Sequence, residues 1–240
     1  MKEKTGRCWQ RGTAPGTFSI AAYDPDADSF GVAVTTGAVA VGATCPHVSA
    51  NGAVLTQSWT KTAHGVHALE LVDRGVGVAT ACNALLDADE YSSYRQLHGI
   101  DHDGETFAFT GADCVEWAGE TVGENHTVAG NMLVGPEVIE AVSETFTETG
   151  GDLADRLLAA LAAGAEAGGD KRGKVSAALL VHAPEPKLYH NLRIDSAETP
   201  IADLRALYEE TKQTVRDIPK EAEEMLGGVP DEIVDFGVKY

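Results

Sequence analysis

Thr17 opens the first regular stretch of this chain, in Gly16-Thr17-Phe18-Ser19-Ile20, and it is the residue type with most to offer chemically. A threonine with a free α-amine carries its own base, because the amine can take the proton of the attacking hydroxyl. Inside an intact peptide bond the same hydroxyl is an ordinary alcohol. No methionine, valine or leucine stands between Lys2 and Gly16, so no internal start would expose Thr17. Its chemistry is therefore conditional on cutting the Gly16-Thr17 bond. Pro15-Gly16-Thr17 is a flexible, open junction at which the hydroxyl can attack the preceding carbonyl and cleave by an acyl shift. The plainer reading is a β-branched residue at a strand edge.

Other side chains could serve such a nucleophile. Asp170, Lys171 and Arg172 lie in a glycine-flanked loop before an apolar run. Lys171 or Arg172 would lower the pKa of a terminal amine, normally about 8, or bind a substrate carboxylate, and Asp170 would orient the pair. The same three residues also suit a solvated turn. Ser176, the polar residue of the run Val175 to Val181, is either a small core hydroxyl bonded to backbone or a proton relay. Asn131, between Gly130 and Met132, has the amide that a tetrahedral oxyanion needs, or else serves a turn. Gln57 and Ser58 end an apolar strand and are candidates for binding substrate in the same cleft, against ordinary edge polarity.

Metal chemistry has weaker grounds. His64 and His67 lack the flanking glutamate of a zinc-protease helix. The group His98, Asp101, His102 and Asp103 lacks the ligand spacing of a calcium loop. No metal and no other cofactor is expected.

The elements that must position these residues follow from pattern. Phe18 to Tyr23 and Phe30 to Thr35 read as a hairpin around Asp24-Pro25-Asp26-Ala27-Asp28. Val39 to Ala43 and Gly52 to Gln57 read as further strands. Helices are expected over His64 to Arg74 and Val78 to about Leu86. Tyr94 to Ile100 and Thr106 to Thr110 suggest a second hairpin about Asp103-Gly104. Thr127 to Leu133 is a strand, and Pro136 opens a helix to about Phe146. Asp152 caps another that ends at Gly168-Gly169. Lys174 to His182 should be a central strand, Leu192 to Ile194 an edge strand, and Thr199-Pro200 the start of an amphipathic helix ending at Pro219. The expected fold is α+β, a four-layer αββα sandwich of two mostly antiparallel sheets flanked by helices. Residues 1–16 form a leader, 17–219 one domain and 220–240 a tail.

Composition bounds the function. The 37 acidic against 18 basic side chains give a formal charge of −19, which repels nucleic acid and anionic lipid and also suits a high-salt cytoplasm. No apolar run is long enough to span a membrane. Four well-separated cysteines, Cys8, Cys45, Cys82 and Cys114, indicate neither a disulfide framework nor a zinc ribbon, so a reducing cytoplasm is expected. The partner expected is a small-molecule substrate, with homo-oligomer formation left open.

Several segments, in order, resemble the domain of unknown function 1028 family, which is placed among the N-terminal nucleophile hydrolase folds. They are Thr17-Phe18-Ser19-Ile20-Ala21-Ala22-Tyr23-Asp24-Pro25, Gly31-Val32-Ala33-Val34, Val41-Gly42-Ala43, Leu55-Thr56-Gln57-Ser58, Gly130-Asn131-Met132-Leu133-Val134-Gly135-Pro136-Glu137, Ala167-Gly168-Gly169-Asp170-Lys171-Arg172-Gly173 and Ser176-Ala177-Ala178-Leu179-Leu180-Val181. The resemblance implies the αββα sandwich and, by superfamily analogy, amide-bond hydrolysis of a small polar substrate. Family members typically begin almost at the Thr-Phe-Ser strand, whereas sixteen residues precede it here. The alternative is a non-catalytic protein on the same fold that keeps its leader and binds a sugar-like or amino-acid-like ligand.

Overall fold

The computed structural model of the chain describes residues 16–170 and 173–226. In chain order its strands are β1 (Thr17–Asp24), β2 (Ser29–Thr36), β3 (Pro46–Val48), β4 (Gly52–Ser58), β5 (Arg95–Asp101), β6 (Thr106–Thr110), β7 (Gly119–Gly123), β8 (His126–Asn131), β9 (Ser176–His182) and β10 (Asn191–Ile194). The helices are α1 (Thr62–Val72), α2 (Val78–Asp87), α3 (Glu137–Glu148), α4 (Leu153–Glu166) and α5 (Pro200–Leu226). Two antiparallel sheets result, one of six strands in the order β10-β9-β2-β1-β8-β7 and one of four in the order β3-β4-β5-β6. The fold is thus mixed α+β.

Alternation along the strands decides what each layer buries, because successive side chains point to opposite faces. In β1, Phe18, Ile20 and Ala22 pack with Val142 and Phe146 of α3, Leu157 and Leu161 of α4, and Leu204 and Tyr208 of α5. Ala21 instead joins Phe30, Val32 and Val34 of β2 against Ala53 and Leu55 of β4 and Ile100 of β5. The other faces of β4 and β5 give Val54 and Leu97 to a third apolar cluster with Ala68, Leu69 and Val72 of α1 and Ala81 and Cys82 of α2.

Local chemistry supports the main elements. The Asp24 carboxylate accepts from the amides of Asp26 (3.1 Å) and Ala27 (3.3 Å), closing the first hairpin. Asp152 caps α4 by accepting from the Asp155 amide at 2.9 Å. The same carboxylate accepts from Tyr208 Oη (3.3 Å) and Lys212 Nζ (3.3 Å), which ties α5 to the start of α4.

Several sequence expectations need correction. Val39 to Ala43 is not a strand: Ala40 takes a left-handed φ of 56° and Val41–Ala43 form one 3-10 turn. Ser176 and Asp195 capture the Val41 and Ala40 amides, so that segment has no ladder to join. The strand expected to reach Leu133 stops at Asn131, where Met132 turns left-handed with φ 55°. Pro136 precedes α3 as its cap rather than forming its first residue. β9 begins at Ser176 and lies one strand from the edge, between β2 and β10. The last helix runs through Pro219 to Leu226, since an interior proline removes one helical donor without having to end the helix. β3 and β7 were not anticipated. Each is short, and β7, Gly-Glu-Thr-Val-Gly, has a strand sequence weak enough that pairing with β8 must supply its order.

Among the described residues no helix is long and apolar enough to cross a membrane. Cys45, Cys82 and Cys114 are free and buried. Burial pushes the Cys82 thiol up to about 12 and that of Cys45 higher still, so neither is a ready nucleophile.

Leu157 of α4 is fully buried against Gly31 of β2, whereas Val122 on β7 is half exposed. Leu157→Ala should lower unfolding free energy by about 2–5 kcal/mol in urea denaturation, and Val122→Ala by about 0.5 kcal/mol or less.

Candidate active site

The register brings together residues far apart in sequence. Thr17 pairs with Asn131 of β8 on one side and Thr36 of β2 on the other, and Thr36 pairs in turn with Ser176 of β9. Asn131, Thr17, Thr36 and Ser176 therefore form one row across four adjacent strands.

Around Thr17 the hydrogen bonds converge on the peptide bond that precedes it. The Thr36 hydroxyl donates to the Gly16 carbonyl at 2.7 Å, and the Gly37 amide donates to the same oxygen at 3.2 Å. The Thr17 hydroxyl donates to Thr36 Oγ1 at 3.0 Å. Gly16 itself is buried in a tight seat. A Cβ there would stand 2.8 Å from Asp170 Cγ and 2.9 Å from the carbonyl oxygens of Asn131 and Met132, so glycine alone fits without displacement. Asp170 reaches this seat because the chain reverses after α4 through Gly168 and Gly169 (φ 116° and 56°) and then bridges to Leu133.

Above this row lies a cleft of about 440 Å³, with Thr17, Thr36 and Asn131 at its polar end and Val39, Trp59 and Val115 among its apolar walls. Ser176 shapes one wall indirectly. Its hydroxyl donates to the Ala38 carbonyl (2.6 Å) and accepts from the Val41 amide (3.1 Å), clamping the loop that carries Gly37 and Val39. Ser58 and Met132, which line the cleft, have left-handed φ values of 68° and 55°, and so does Ala40 (56°) beside it. For residues with a Cβ this conformation is strained by about 1–2 kcal/mol each, and such strain gathers where a site needs a fixed shape.

Behind the cleft a buried polar chain crosses the interface between the sheets. Asn131 Nδ2 and Gln57 Nε2 donate to Gln96 Oε1 at 3.1 and 2.7 Å. Ser19 donates to Gln57 Oε1 at 2.7 Å, which obliges the His98 Nε2–H to donate to Ser19 Oγ across 2.8 Å. His98 Nδ1 then accepts from the Thr127 hydroxyl at 2.9 Å. Burial drives the His98 pKa down to about 3, so the ring is neutral near pH 7.

The model of the family described as "Family of unknown function (DUF1028)" matches residues 17–204. This chain belongs to the DUF1028 family. It is similar to protein SPO2555 from Silicibacter pomeroyi, whose crystal structure is described under the same family, with 33% identity and a TM-score of 0.76 over 81% of this chain and 85% of that one. No curated protein matches the sequence.

In this DUF1028 chain, the expected site residues divide by position. Thr17, Asn131 and Ser58 line the cleft, and Asp170 packs under Gly16. Ser176 is in the row, and its hydroxyl bonds the Ala38 carbonyl and the Val41 amide. Gln57 is buried in the polar chain behind the cleft. Lys171 and Arg172 lie outside the described residues. His64 is buried 3.3 Å from Asp89, which also meets Arg95 and Lys61. Burial alone would raise the Asp89 pKa, but Arg95, the Tyr91 amide and Lys61 hold it at about 2. Among the described residues no three His, Cys, Asp or Glu side chains are grouped to hold a metal.

Thr36, Ser19 and Gln96 were not singled out as site residues and His98 was weighed only as a metal ligand, yet each had a signal. A hairpin closed by Asp24 opposite Ser29 brings Thr36 opposite Thr17. Ser19 follows Thr17 by two, and Gln96, His98 and Ile100 alternate along one face of β5.

His98 also sets an expected pH response. Above about pH 6.5 neither the folded nor the unfolded ring is protonated; between 6.5 and 3 only the unfolded one is, so stability falls as pH falls. Comparing wild type with His98→Gln by urea denaturation, the wild-type advantage should shrink by about 1.4 kcal/mol per pH unit over pH 6 to 4. Parallel stability profiles for the two proteins would contradict the buried neutral imidazole.

Proposed function

We propose that this chain is an N-terminal nucleophile hydrolase, a four-layer αββα sandwich that cleaves an amide C–N bond with Thr17 once the Gly16-Thr17 bond has been broken. The observation that carries the reading is the Gly16 carbonyl, held by the Thr36 hydroxyl and the Gly37 amide while the Thr17 hydroxyl rests on Thr36. Two donors on a carbonyl oxygen, beside a hydroxyl one residue away, are the parts an acyl shift requires.

The steps balance within these groups. As Thr17 Oγ1 bonds to the Gly16 carbonyl carbon, its proton passes to Thr36 Oγ1, and the Thr36 proton passes to the carbonyl oxygen, where the displaced π pair resides. The C–N bond then breaks, the nitrogen takes the hydroxyl proton and the carbonyl re-forms as an ester on Thr17. Water hydrolyses that ester, which releases residues 1–16 with a carboxyl group on Gly16 and frees the hydroxyl beside the α-amine that the shift produced. The amine becomes the general base for substrate. A substrate carbonyl then takes the seat of the Gly16 carbonyl and inherits the Thr36 and Gly37 donors, with the Asn131 amide opposite as a further oxyanion donor. Asp170, whose carboxyl carbon lies close to Gly16, would orient the new amine, and the expectation that Lys171 or Arg172 lowers its pKa concerns residues outside those described.

The match to the family model begins on Thr17, which accords with a functional unit starting at that residue. Buried free cysteines accord with a reducing, cytoplasmic setting. One observation favours the competing reading, a binding protein that keeps its leader: in the intact chain Gly16 is buried and its carbonyl is fully hydrogen-bonded.

A time course of intact mass after purification distinguishes the two. Thr17→Ala should retain residues 1–16. Thr36→Val should slow their loss on the order of 10²- to 10³-fold, the usual effect of removing one oxyanion donor, while Thr36→Ser stays near wild type. Equal processing by Thr36→Val would remove the hydroxyl relay from the mechanism, and a wild-type protein that keeps its leader while binding ligand would support the binding protein instead.

A further inference from the structure

We infer that the cleft accepts an uncharged amide whose group beside the scissile bond is a bulky apolar side chain, aromatic or branched aliphatic; this rests on the hydrolase reading and replaces the small polar substrate expected from sequence.

The chain carries 37 acidic residues, yet no ionisable side chain lines the cleft among the described residues. Val39, Val41, Trp59 and Val115 supply its large apolar surface, Thr17, Thr36 and Asn131 meet at its floor, and the remaining polar side chains that line it, Thr44, Ser58 and Thr60, are uncharged hydroxyls. Uncharged donors and acceptors beside large apolar side chains suit an amide at the floor with a hydrocarbon group against Val39, Trp59 and Val115. A charged substituent set against Val39, Val41, Trp59 and Val115 would shed water against side chains that carry no charge. The volume, about 440 Å³, suits a small ligand.

The apolar wall is also unusually concentrated. Val39, Trp59 and Val115 are 66, 58 and 41% exposed, and they are three of the eight large apolar side chains that the described surface leaves open. Isolated exposed apolar residues need no explanation, but three around one mouth indicate a binding surface. Trp59 is held rather than loose. Its amide donates to the Tyr94 carbonyl at 3.3 Å, and its carbonyl accepts from Arg95, whose guanidinium is fixed on Asp89. A backbone so anchored presents the indole to the cleft with little ordering left to do on binding.

The test uses the full-length protein as purified and five N-acetyl amino-acid amides, those of phenylalanine, leucine, alanine, glutamate and lysine. Shifts in unfolding temperature across a concentration series give affinity, and released ammonia gives turnover. The phenylalanine and leucine amides should bind about tenfold or more tightly than the other three. Trp59→Ala should abolish that preference without changing the ligand-free unfolding temperature, and Val39→Asp should weaken both apolar amides about tenfold. The inference is overturned if the glutamate or lysine amide binds as tightly as the phenylalanine one, if none of the five binds, or if Trp59→Ala leaves the preference intact. Preferred binding of the apolar amides without ammonia release would uphold the cleft's selectivity and defeat the hydrolase reading. Release from the charged amides at equal rates would do the reverse.

Discussion

The pleat of β1 is the constraint on which the rest of the molecule depends. Phe18, Ile20 and Ala22 are committed to the helices α3, α4 and α5, and so Thr17, Ser19, Ala21 and Tyr23 are committed to the space between the sheets. A slip of one residue would bury Thr17 among helices and turn Phe18 and Ile20 into the cleft. The two apolar clusters that hold β1 resist that slip, and the cost of exposing even one Phe or Ile, about 1.5–3 kcal/mol, exceeds what a single hydrogen bond at Thr17 contributes. Packing thus places the hydroxyl, and hydrogen bonds only refine where it points.

The interface between the sheets is graded along the strands. At one end Ala21, Phe30, Val32, Leu55 and Ile100 form a dry core. At the other, Ser19, Gln57, Gln96, His98 and Asn131 are almost fully buried but hydrogen-bonded to one another. Such a chain is tolerable in a low-dielectric interior only because each donor finds an acceptor. Its members share one consequence: none moves without leaving another unsatisfied. The cleft floor is rigid for that reason, while left-handed Ala40, Ser58 and Met132 turn the chain sharply around its rim.

Much of this is legible in the sequence alone. The first hairpin, the Asp152 cap, the apolar β9 and the helix periods follow from local chemistry, and the Thr17 junction stands out by composition alone. What was not legible depended on contacts across layers. Val39 to Ala43 has the composition of a strand, but Ser176, more than a hundred residues later, captures the Val41 amide and makes that segment a wall instead. β7 has too little intrinsic strand preference to be seen without β8. Thr36 is the instructive omission, since counting along the hairpin places it opposite Thr17, whereas its bond to the Gly16 carbonyl appears only when the chain is folded.

The central claim is that Thr17 acts as an N-terminal nucleophile, and covalent trapping tests it most directly. A β-lactone carrying an apolar side chain should acylate one hydroxyl, and peptide mapping by mass spectrometry locates the adduct. The account predicts an ester on Thr17 Oγ1 in a peptide that begins with Thr17. An adduct on another residue, or on a Thr17 still joined to Gly16, would contradict it.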